Sequence, residues 1–154
     1  MSELNRREFV IAATAAAACA CAACDALAAG PTTAPSGSKQ VDVGKLEDFK
    51  KDGITDKFSK TERILVIRSE GKLYAPTSTC THKNCAIKAK EGELVCPCHG
   101  SKYTLMGVPT KGPAKYPLYR YGISKDENGH VIVDKTKQFE EKKWDDEGAF
   151  ISVT

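Results

Sequence analysis

The chain has 154 residues, a length that allows one domain of ordinary size with a tail and excludes a large multidomain enzyme. Hydrophobic residues make up 41% of it and charged residues 28%, which is typical of a soluble globular protein rather than a disordered or membrane-spanning one. The net charge is only +3 and the basic residues are scattered, so composition gives no indication of nucleic-acid binding.

Residues 1–29 are predicted to be an export signal. Arg6 and Arg7 form a twin-arginine pair, an alanine-rich apolar run extends to Cys24, and Ala26-Leu27-Ala28 is a candidate cleavage site. A charged start, an apolar middle and small residues at the exit are the parts of a signal peptide, and a twin arginine is a receptor-read address. We therefore expect export by the twin-arginine route, to the periplasm or the outer face of the cytoplasmic membrane.

Two alternatives for this segment stay open. The apolar run from Phe9 to Cys24 has 16 residues, fewer than the roughly 20 that span hydrocarbon. Extended to Ala29 it is long enough to be retained as an anchor, which would associate the protein with a membrane through its N-terminus. Lipidation after cleavage is the weaker alternative, because no leucine stands at the third position before any of the candidate cysteines, Cys19, Cys21 and Cys24.

A linker rich in Gly, Pro, Ser and Thr is predicted at residues 30–40, and the folded domain at 41–154. Residues 64–67 and 73–75 are apolar runs on either side of Glu70-Gly71, a pattern that predicts a β-hairpin. Asn128-Gly129 predicts a second turn. Further short strands are predicted at residues 94–96, 118–123, 131–133 and 150–153.

No segment has sustained helical periodicity, so the predicted fold class is all-β, with small antiparallel sheets in a sandwich or open barrel. Residues 138–147 are charge-rich around Trp144 and are predicted to form a surface loop or a single helical turn. His130 follows a turn and is interpreted as an ordinary surface residue, and Gly100 and Gly107 as turn glycines.

The chemistry of the chain is concentrated in two blocks, CTHKNC at residues 80–85 and CPCHGSKY at residues 96–103. They hold all four cysteines of the predicted domain and two of the three histidines of the chain. Thiolates and imidazoles are the donors that suit zinc or iron, and such a concentration is difficult to attribute to packing. The sequence therefore predicts a metal centre built from both blocks.

The two blocks resemble the Rieske iron–sulfur family. The family's pattern is Cys-x-His followed by Cys-x-x-His, and it is filled here by Cys80, His82, Cys96 and His99. The resemblance implies one [2Fe–2S] cluster, with the cysteines on one iron and the histidines on the other. It also implies a small all-β fold with a cluster-binding subdomain.

The resemblance extends to residues around the ligands. Cys85 and Cys98 match the disulfide that ties the cluster loops together in the Rieske subunits of cytochrome bc complexes. Ser101 and Tyr103 match a serine that donates to a bridging sulfide and a tyrosine that donates to a cysteine sulfur, by analogy that of Cys80. Together with the imidazole ligands, these donors imply a potential in the upper part of the Rieske range, roughly −150 to +300 mV.

Gly112, Pro113 and Ala114 resemble the loop that covers the cluster in the family. Two features depart from the pattern of quinol-oxidising members. Lys83 and Asn84 stand where a leucine and a glycine are usual, and the 13 residues between the first histidine and the second block make a short connection. A lysine at the tip fits poorly into an apolar quinol pocket.

The resemblance implies one-electron transfer with a cytochrome or an oxidoreductase subunit as partner, and the predicted export signal assigns it to a periplasmic or membrane-associated redox chain. One possibility is a soluble or tethered carrier. The other is the iron–sulfur subunit of a quinol–cytochrome c reductase, with quinol as the donor, or of a molybdenum oxidase such as arsenite oxidase. The chain alone is not expected to be catalytic, since an oxygenase needs a second iron site with two more histidines and only His130 remains.

Two structural alternatives, without electron transfer, use the same residues. A structural zinc domain would take the same donors, but their paired spacing is unusual for zinc. A domain held by two disulfides would not explain the presence of His82 and His99 in the two blocks.

Overall fold

The computed structural model describes residues 39–153, so the predicted export signal and nearly all of the predicted linker lie outside the described residues. Within this range the chain forms eleven strands and two 3₁₀ turns, with no α-helix. The all-β prediction is confirmed. No helix within residues 39–153 has the length and apolar character that crossing a membrane requires.

The strands build two antiparallel sheets. Seven strands form one sheet in the order β1-β10-β9-β4-β3-β2, with β11 paired to β4, and four form a smaller sheet in the order β5-β6-β7-β8. The 3₁₀ turns are Leu46–Phe49 and Glu141–Lys143. The strands are β1 (Gln40–Lys45), β2 (Gly53–Thr55), β3 (Val66–Ser69), β4 (Lys72–Pro76), β5 (Lys88–Lys90), β6 (Glu93–Val95), β7 (Lys102–Tyr103), β8 (Pro109–Lys111), β9 (Arg120–Lys125), β10 (His130–Phe139) and β11 (Ile151–Ser152).

The predicted hairpin is present as β3 and β4, and it joins two apolar cores. Successive side chains of a strand point to opposite faces. Val66 and Leu73 pack in the core of the seven-stranded sheet, whereas Ile67 and Tyr74 pack in a second core. Both faces of the hairpin are therefore covered, which explains why its sequence is continuously apolar rather than alternating.

The second core carries the predicted metal-binding blocks. Its buried residues come from the hairpin, from the small sheet and from the segments that flank it: Leu65, Ile67, Tyr74, Cys80, Ile87, Leu94, Cys96, Tyr103, Ala114 and Leu118. The first cysteine of each block and Tyr103 of the second block are thus interior residues of this core, whereas His82 is partly exposed and His99 is exposed.

Five observed strands are absent from the predictions: β1, β2, β5, β7 and β8. The strand β5, for example, reads Lys-Ala-Lys. Such segments become strands because a neighbouring strand offers its backbone groups, since β-propensity depends strongly on context. Residues 94–96 and 118–123 are each predicted about one or two residues away from β6 and β9 as observed.

The prediction of a surface loop or helical turn at residues 138–147 is partly wrong. Strand β10 runs on to Phe139 through an irregularity between Asp134 and Gln138, and only then does the 3₁₀ turn begin. Trp144 is buried, and its ring packs on the guanidinium of Arg120, which lies 4.3 Å from the ring centroid. A single aromatic residue in a run of charged residues gives no periodic signal, so this contact could not be predicted from the sequence.

His130, interpreted as an ordinary surface residue, is partly exposed and has a polar partner at the surface. Its side chain is 33% exposed, and its Nδ1 lies 2.7 Å from Oδ2 of Asp42. Asp42 is on β1, so this contact joins β1 to β10 at the edge of the large sheet. His130 has a structural partner and lies outside both metal-binding blocks.

Candidate metal centre

The first block forms a tight loop, residues 80–85 (loop 1). The N–H of Cys80 donates to the carbonyl of Cys85 at 2.9 Å, and the N–H of Asn84 donates to the carbonyl of Cys80 at 2.9 Å. Asn84 takes a φ of 56°. This left-handed conformation favours glycine, and asparagine is among the few other residues that adopt it readily. The Asn84 departure from the family pattern is therefore compatible with the same loop.

The second block forms residues 96–101 (loop 2), with the same pair of backbone hydrogen bonds. The N–H of Cys96 donates to the carbonyl of Ser101 at 2.8 Å, and the N–H of Gly100 donates to the carbonyl of Cys96 at 3.0 Å. Gly100 is the fifth residue, as Asn84 is in loop 1, and has a φ of 72°. Each loop thus folds back on its first cysteine, and the side chains between the first and last residues of the loop point outward from this turn.

The disulfide implied by the resemblance is confirmed, since Cys85 and Cys98 are bonded to each other. It joins the last residue of loop 1 to the third residue of loop 2. Cys80 and Cys96 are free and buried. The alternative of a domain held by two disulfides is therefore excluded for the described residues.

The sulfur atoms of Cys85, Cys96 and Cys98 lie within 4.8 Å of one another. Two of the three belong to the disulfide and carry no thiolate, so this group is not a ligand set. The proximity shows instead that the disulfide packs beside Cys96.

The two histidines of the blocks lie together. The rings of His82 and His99 are 4.8 Å apart between centroids and meet edge to face. Nδ1 of His82 is buried and has no hydrogen-bond partner within residues 39–153, whereas His99 is exposed. A buried ring nitrogen without a partner is costly unless something outside the chain takes it, and a metal ion is such a partner.

Backbone and side-chain donors surround the two free thiols. Burial raises the pKa of Cys80, but hydrogen bonds from the Tyr103 hydroxyl and the His82 N–H outweigh it, so the pKa is lowered. Burial also raises the pKa of Cys96, and the adjacent Cys80 sulfur raises it further. Hydrogen bonds from the N–H groups of Cys98 and His99 lower it by less, so the pKa of Cys96 is raised overall. Donors directed at both sulfurs suit them to be metal-bound thiolates.

Tyr103 is positioned as the resemblance implies, with its hydroxyl 3.3 Å from Sγ of Cys80. The side chain is fully buried. Burial and the neighbouring Cys80 raise the pKa of Tyr103 to about 12, so the hydroxyl keeps its proton at neutral pH. The effect of this hydrogen bond on a potential stays a prediction.

Thr81 is a functional residue that sequence reasoning missed. Its N–H donates to the Tyr103 hydroxyl at 3.2 Å, and its Oγ1 lies 3.1 Å from the same oxygen. Its Oγ1 also donates to the carbonyl of Tyr116 at 2.8 Å. No sequence signal could have found Thr81, because its partners follow it by 22 and 35 residues.

The predicted covering loop, with Gly112, Pro113 and Ala114, is tied to both ligand loops. Besides the contact of Thr81 with Tyr116, the N–H of Ala114 donates to Oγ of Ser101 at 3.1 Å. Ser101 is buried, and its hydroxyl helps to lower the pKa of Cys80. Because its oxygen already accepts an N–H, its proton is free to be donated toward the centre; donation to a bridging sulfide stays a prediction.

The residues present fit a [2Fe–2S] group. The thiols of Cys80 and Cys96 interact with each other, the rings of His82 and His99 lie together, and a buried His82 nitrogen has no partner within residues 39–153. Cys80, Cys96, His82 and His99 are the side chains that would hold it, with each loop contributing one ligand to each iron. When bound, such a cluster accepts and releases one electron at a time.

Residues 39–122 match the Rieske [2Fe-2S] domain. The chain belongs to this family. It is accordingly a Rieske-type electron-transfer protein with one [2Fe–2S] cluster.

Relatives of this Rieske chain include subunits of cytochrome complexes. It is 34% identical over 110 residues to the cytochrome b6-f complex iron-sulfur subunit of Chlorobaculum tepidum, covering 70% of this chain and 52% of that one. It is 37% identical over 82 residues to the mitochondrial cytochrome b-c1 complex subunit Rieske of Gallus gallus, covering 51% and 26%. The chain thus spans about half the length of the Chlorobaculum relatives it matches.

A similar solved structure is the cyanobacterial plasma membrane Rieske protein PetC3 from Synechocystis PCC 6803. It is 31% identical, with a TM-score of 0.47, and the match covers 61% of this chain and 98% of that one.

Proposed function

We propose that this Rieske protein is exported by the twin-arginine route and carries single electrons between protein partners, in the periplasm or at the outer face of the cytoplasmic membrane. The observation that carries the electron-transfer role is the convergence of loops 1 and 2, with two free buried thiols and two histidine rings in contact. Export is supported by Arg6 and Arg7 with the apolar run behind them. The Cys85–Cys98 disulfide is also consistent with an oxidising compartment.

A second candidate is an iron–sulfur subunit of a larger oxidoreductase, either a quinol-oxidising cytochrome complex or a molybdenum oxidase. The relatives named as subunits of cytochrome b6-f and b-c1 complexes favour it. Lys83 weighs against docking in an apolar quinol pocket, because it is exposed directly beside His82 and its charge would be buried there. We therefore place the carrier first.

The cofactor is tested by low-temperature EPR of the purified, dithionite-reduced chain, with iron and acid-labile sulfide measured on the same sample. We expect a rhombic Rieske-type signal and about two irons and two sulfides per chain. The variants Cys80→Ser and Cys96→Ser should lose the signal. An EPR-silent protein containing zinc would overturn the electron-transfer role.

Export is tested by fractionating bacterial cells that express the full chain, with and without a functional twin-arginine translocase. The cluster-loaded protein should reach the periplasm only when the translocase is present, and Arg6→Lys with Arg7→Lys should block this. Carbonate washing of the membranes then separates a cleaved signal from a retained anchor. A chain that stays in the cytoplasm in both strains would refute the proposed location.

The carrier and the subunit are distinguished by what the exported chain binds. A carrier should be recovered as a free protein that a soluble redox protein oxidises. A subunit should co-purify in mild detergent with membrane proteins that reduce it from quinol, and recovery of such a complex would decide against the carrier.

A further inference from the structure

The charge of the described chain is divided unequally between two regions. Residues 77–118, which include both ligand loops, the small sheet and the covering loop, contain six lysines and two glutamates, a net charge of +4. Residues 39–76 and 119–153 contain fifteen basic and fifteen acidic side chains, a net charge of zero. All of the net positive charge therefore lies on the segment that carries the metal centre.

Strand register places three of these lysines in one row. Lys88 pairs with Val95, Val95 with Lys102, and Lys102 with Lys111. Residues directly opposite one another across a sheet share a face. The row lies at the end of the small sheet next to the metal centre, because Val95 directly precedes loop 2 and Lys102 directly follows it.

Two further lysines belong to the loops themselves. Lys83 follows His82 in loop 1, and Lys115 lies in the covering loop beside Tyr116. These five residues are called the lysine collar: Lys83, Lys88, Lys102, Lys111 and Lys115. The sixth lysine, Lys90, is at the far end of the small sheet, beside the β5–β6 turn.

Most of the collar is available to a partner. Lys102 is paired with Glu93 at 2.7 Å. The other four collar lysines are exposed and form no ion pair within the described part of the chain. The cluster does not neutralise them, because the ferric charges are already balanced by its sulfides and thiolates and each transferred electron adds only one negative charge.

The collar borders the exposed side chains of the metal centre. His99 and the disulfide residue Cys98 are exposed, and Tyr116 is 70% exposed. Thr81 holds the backbone carbonyl of Tyr116 at 2.8 Å, so this ring is presented from a fixed position. An aromatic residue within a polar, charged rim is a common arrangement at protein interfaces.

The positive charge does not continue into a neighbouring groove. This groove is lined by Tyr116, Pro117, Tyr119, Glu140, Glu141 and Lys142, and its charged side chains have a net charge of −1. A partner with a single negative patch would therefore meet the collar and avoid this groove, which defines how the two proteins are turned relative to each other.

We propose that the lysine collar docks an acidic electron-transfer protein over the exposed edge of the metal centre. The proposal rests on the proposed function and specifies the partner's chemical class. Long-range attraction raises the rate of encounter most strongly where charge is concentrated around the site of reaction. A protein partner is favoured over an anionic lipid surface, since the collar borders the histidines and the fixed Tyr116 ring, which a redox protein can contact at close range.

The test is a stopped-flow measurement of oxidation of the reduced full-length holoprotein by two one-electron acceptors. An acidic plastocyanin represents the proposed partner class, and basic mitochondrial cytochrome c represents the opposite charge. Raising the ionic strength from about 10 mM to about 300 mM should lower the rate constant with plastocyanin about tenfold or more. The rate constant with cytochrome c should stay constant or rise.

Variants locate the effect on the surface. Lys83→Gln with Lys115→Gln should lower the plastocyanin rate constant about threefold or more at low salt. The matched control, Lys45→Gln with Lys125→Gln, removes the same charge from the region around the turn before β10 and should leave the rate nearly unchanged. Redox titration of each variant verifies that the driving force is comparable.

Three outcomes would overturn the proposal, and they have different meanings. Equal salt dependence for both acceptors with an intact Rieske signal would refute the collar and leave the proposed function standing. Collar-dependent binding to phosphatidylglycerol vesicles, without salt dependence for plastocyanin, would assign the collar to a lipid surface. A chain with no reversible cluster would refute the proposed function itself.

Discussion

Loops 1 and 2 have the same backbone hydrogen bonds but different surroundings. The sulfur of Cys80 receives the hydroxyl of Tyr103, from strand β7, in addition to a backbone N–H. Among the donors directed at Cys96, the leading ones are the backbone N–H groups of its own loop. The pKa of Cys80 is lowered and that of Cys96 is raised, although both are buried. The shared backbone positions the ligands, and side chains from outside the loops differentiate them.

The loops are also anchored differently. Loop 1 is closed by a single bridge between Thr79 and Ala86, whereas loop 2 connects two paired strands, β6 and β7. The disulfide from Cys85 to Cys98 therefore fastens the less supported loop to the better supported one. This difference predicts which parts of the centre depend on the disulfide.

The largest expected effect comes from removing that disulfide with Cys85→Ser and Cys98→Ser. Closing a loop of about a dozen residues stabilises a protein by about 3 kcal/mol. We therefore expect the thermal midpoint for loss of the cluster's visible absorbance to fall by about 10 °C. The ligands are untouched, so the EPR signal at low temperature should persist. An unchanged midpoint would show that loop 1 is held in place without the disulfide.

The contrast between the loops also explains what could be predicted from the sequence. The spacing of cysteine and histidine pointed to a metal centre, because metal ligation requires particular donors at short intervals. The pairing of Cys85 with Cys98 and the position of Tyr103 followed from resemblance to a family. The hairpin of β3 and β4 followed from its apolar runs around Glu70-Gly71.

Other features depend on contacts between distant residues and left no local signal. Strand β5 is a strand because β6 pairs with it, and Trp144 packs on Arg120, which precedes it by 24 residues. Thr81 acquires its role from Tyr103 and Tyr116. The lysines of the collar are scattered in sequence, and strand register brings three of them into one row.

The second prediction concerns the side-chain donor that distinguishes loop 1. Tyr103→Phe removes the hydroxyl 3.3 Å from Cys80 and preserves the buried ring. Losing about 1 kcal/mol of preference for the reduced state should lower the midpoint potential by about 40 mV. Tyr121→Phe is the matched control, since it removes a buried hydroxyl paired with Tyr119 in the other core. A potential that moves equally in both variants would remove the special role of Tyr103.

The third and smallest prediction tests whether the left-handed fifth residue contributes equally to stability in loops 1 and 2. Gly100 has a φ of 72° and open space where a Cβ would be, so Gly100→Ala should cost only the strain of the left-handed conformation, about 1 kcal/mol. Gly100→Asn should cost less, and Asn84→Gly at φ 56° should be neutral or slightly stabilising.

The control is Gly53→Ala. Gly53 also has open space where a Cβ would be but has no left-handed φ, so the urea midpoint of this variant should match that of the wild type. A loss at Gly100 with no difference between Asn84→Gly and Asn84→Ala would mean that only loop 2 depends on this conformation.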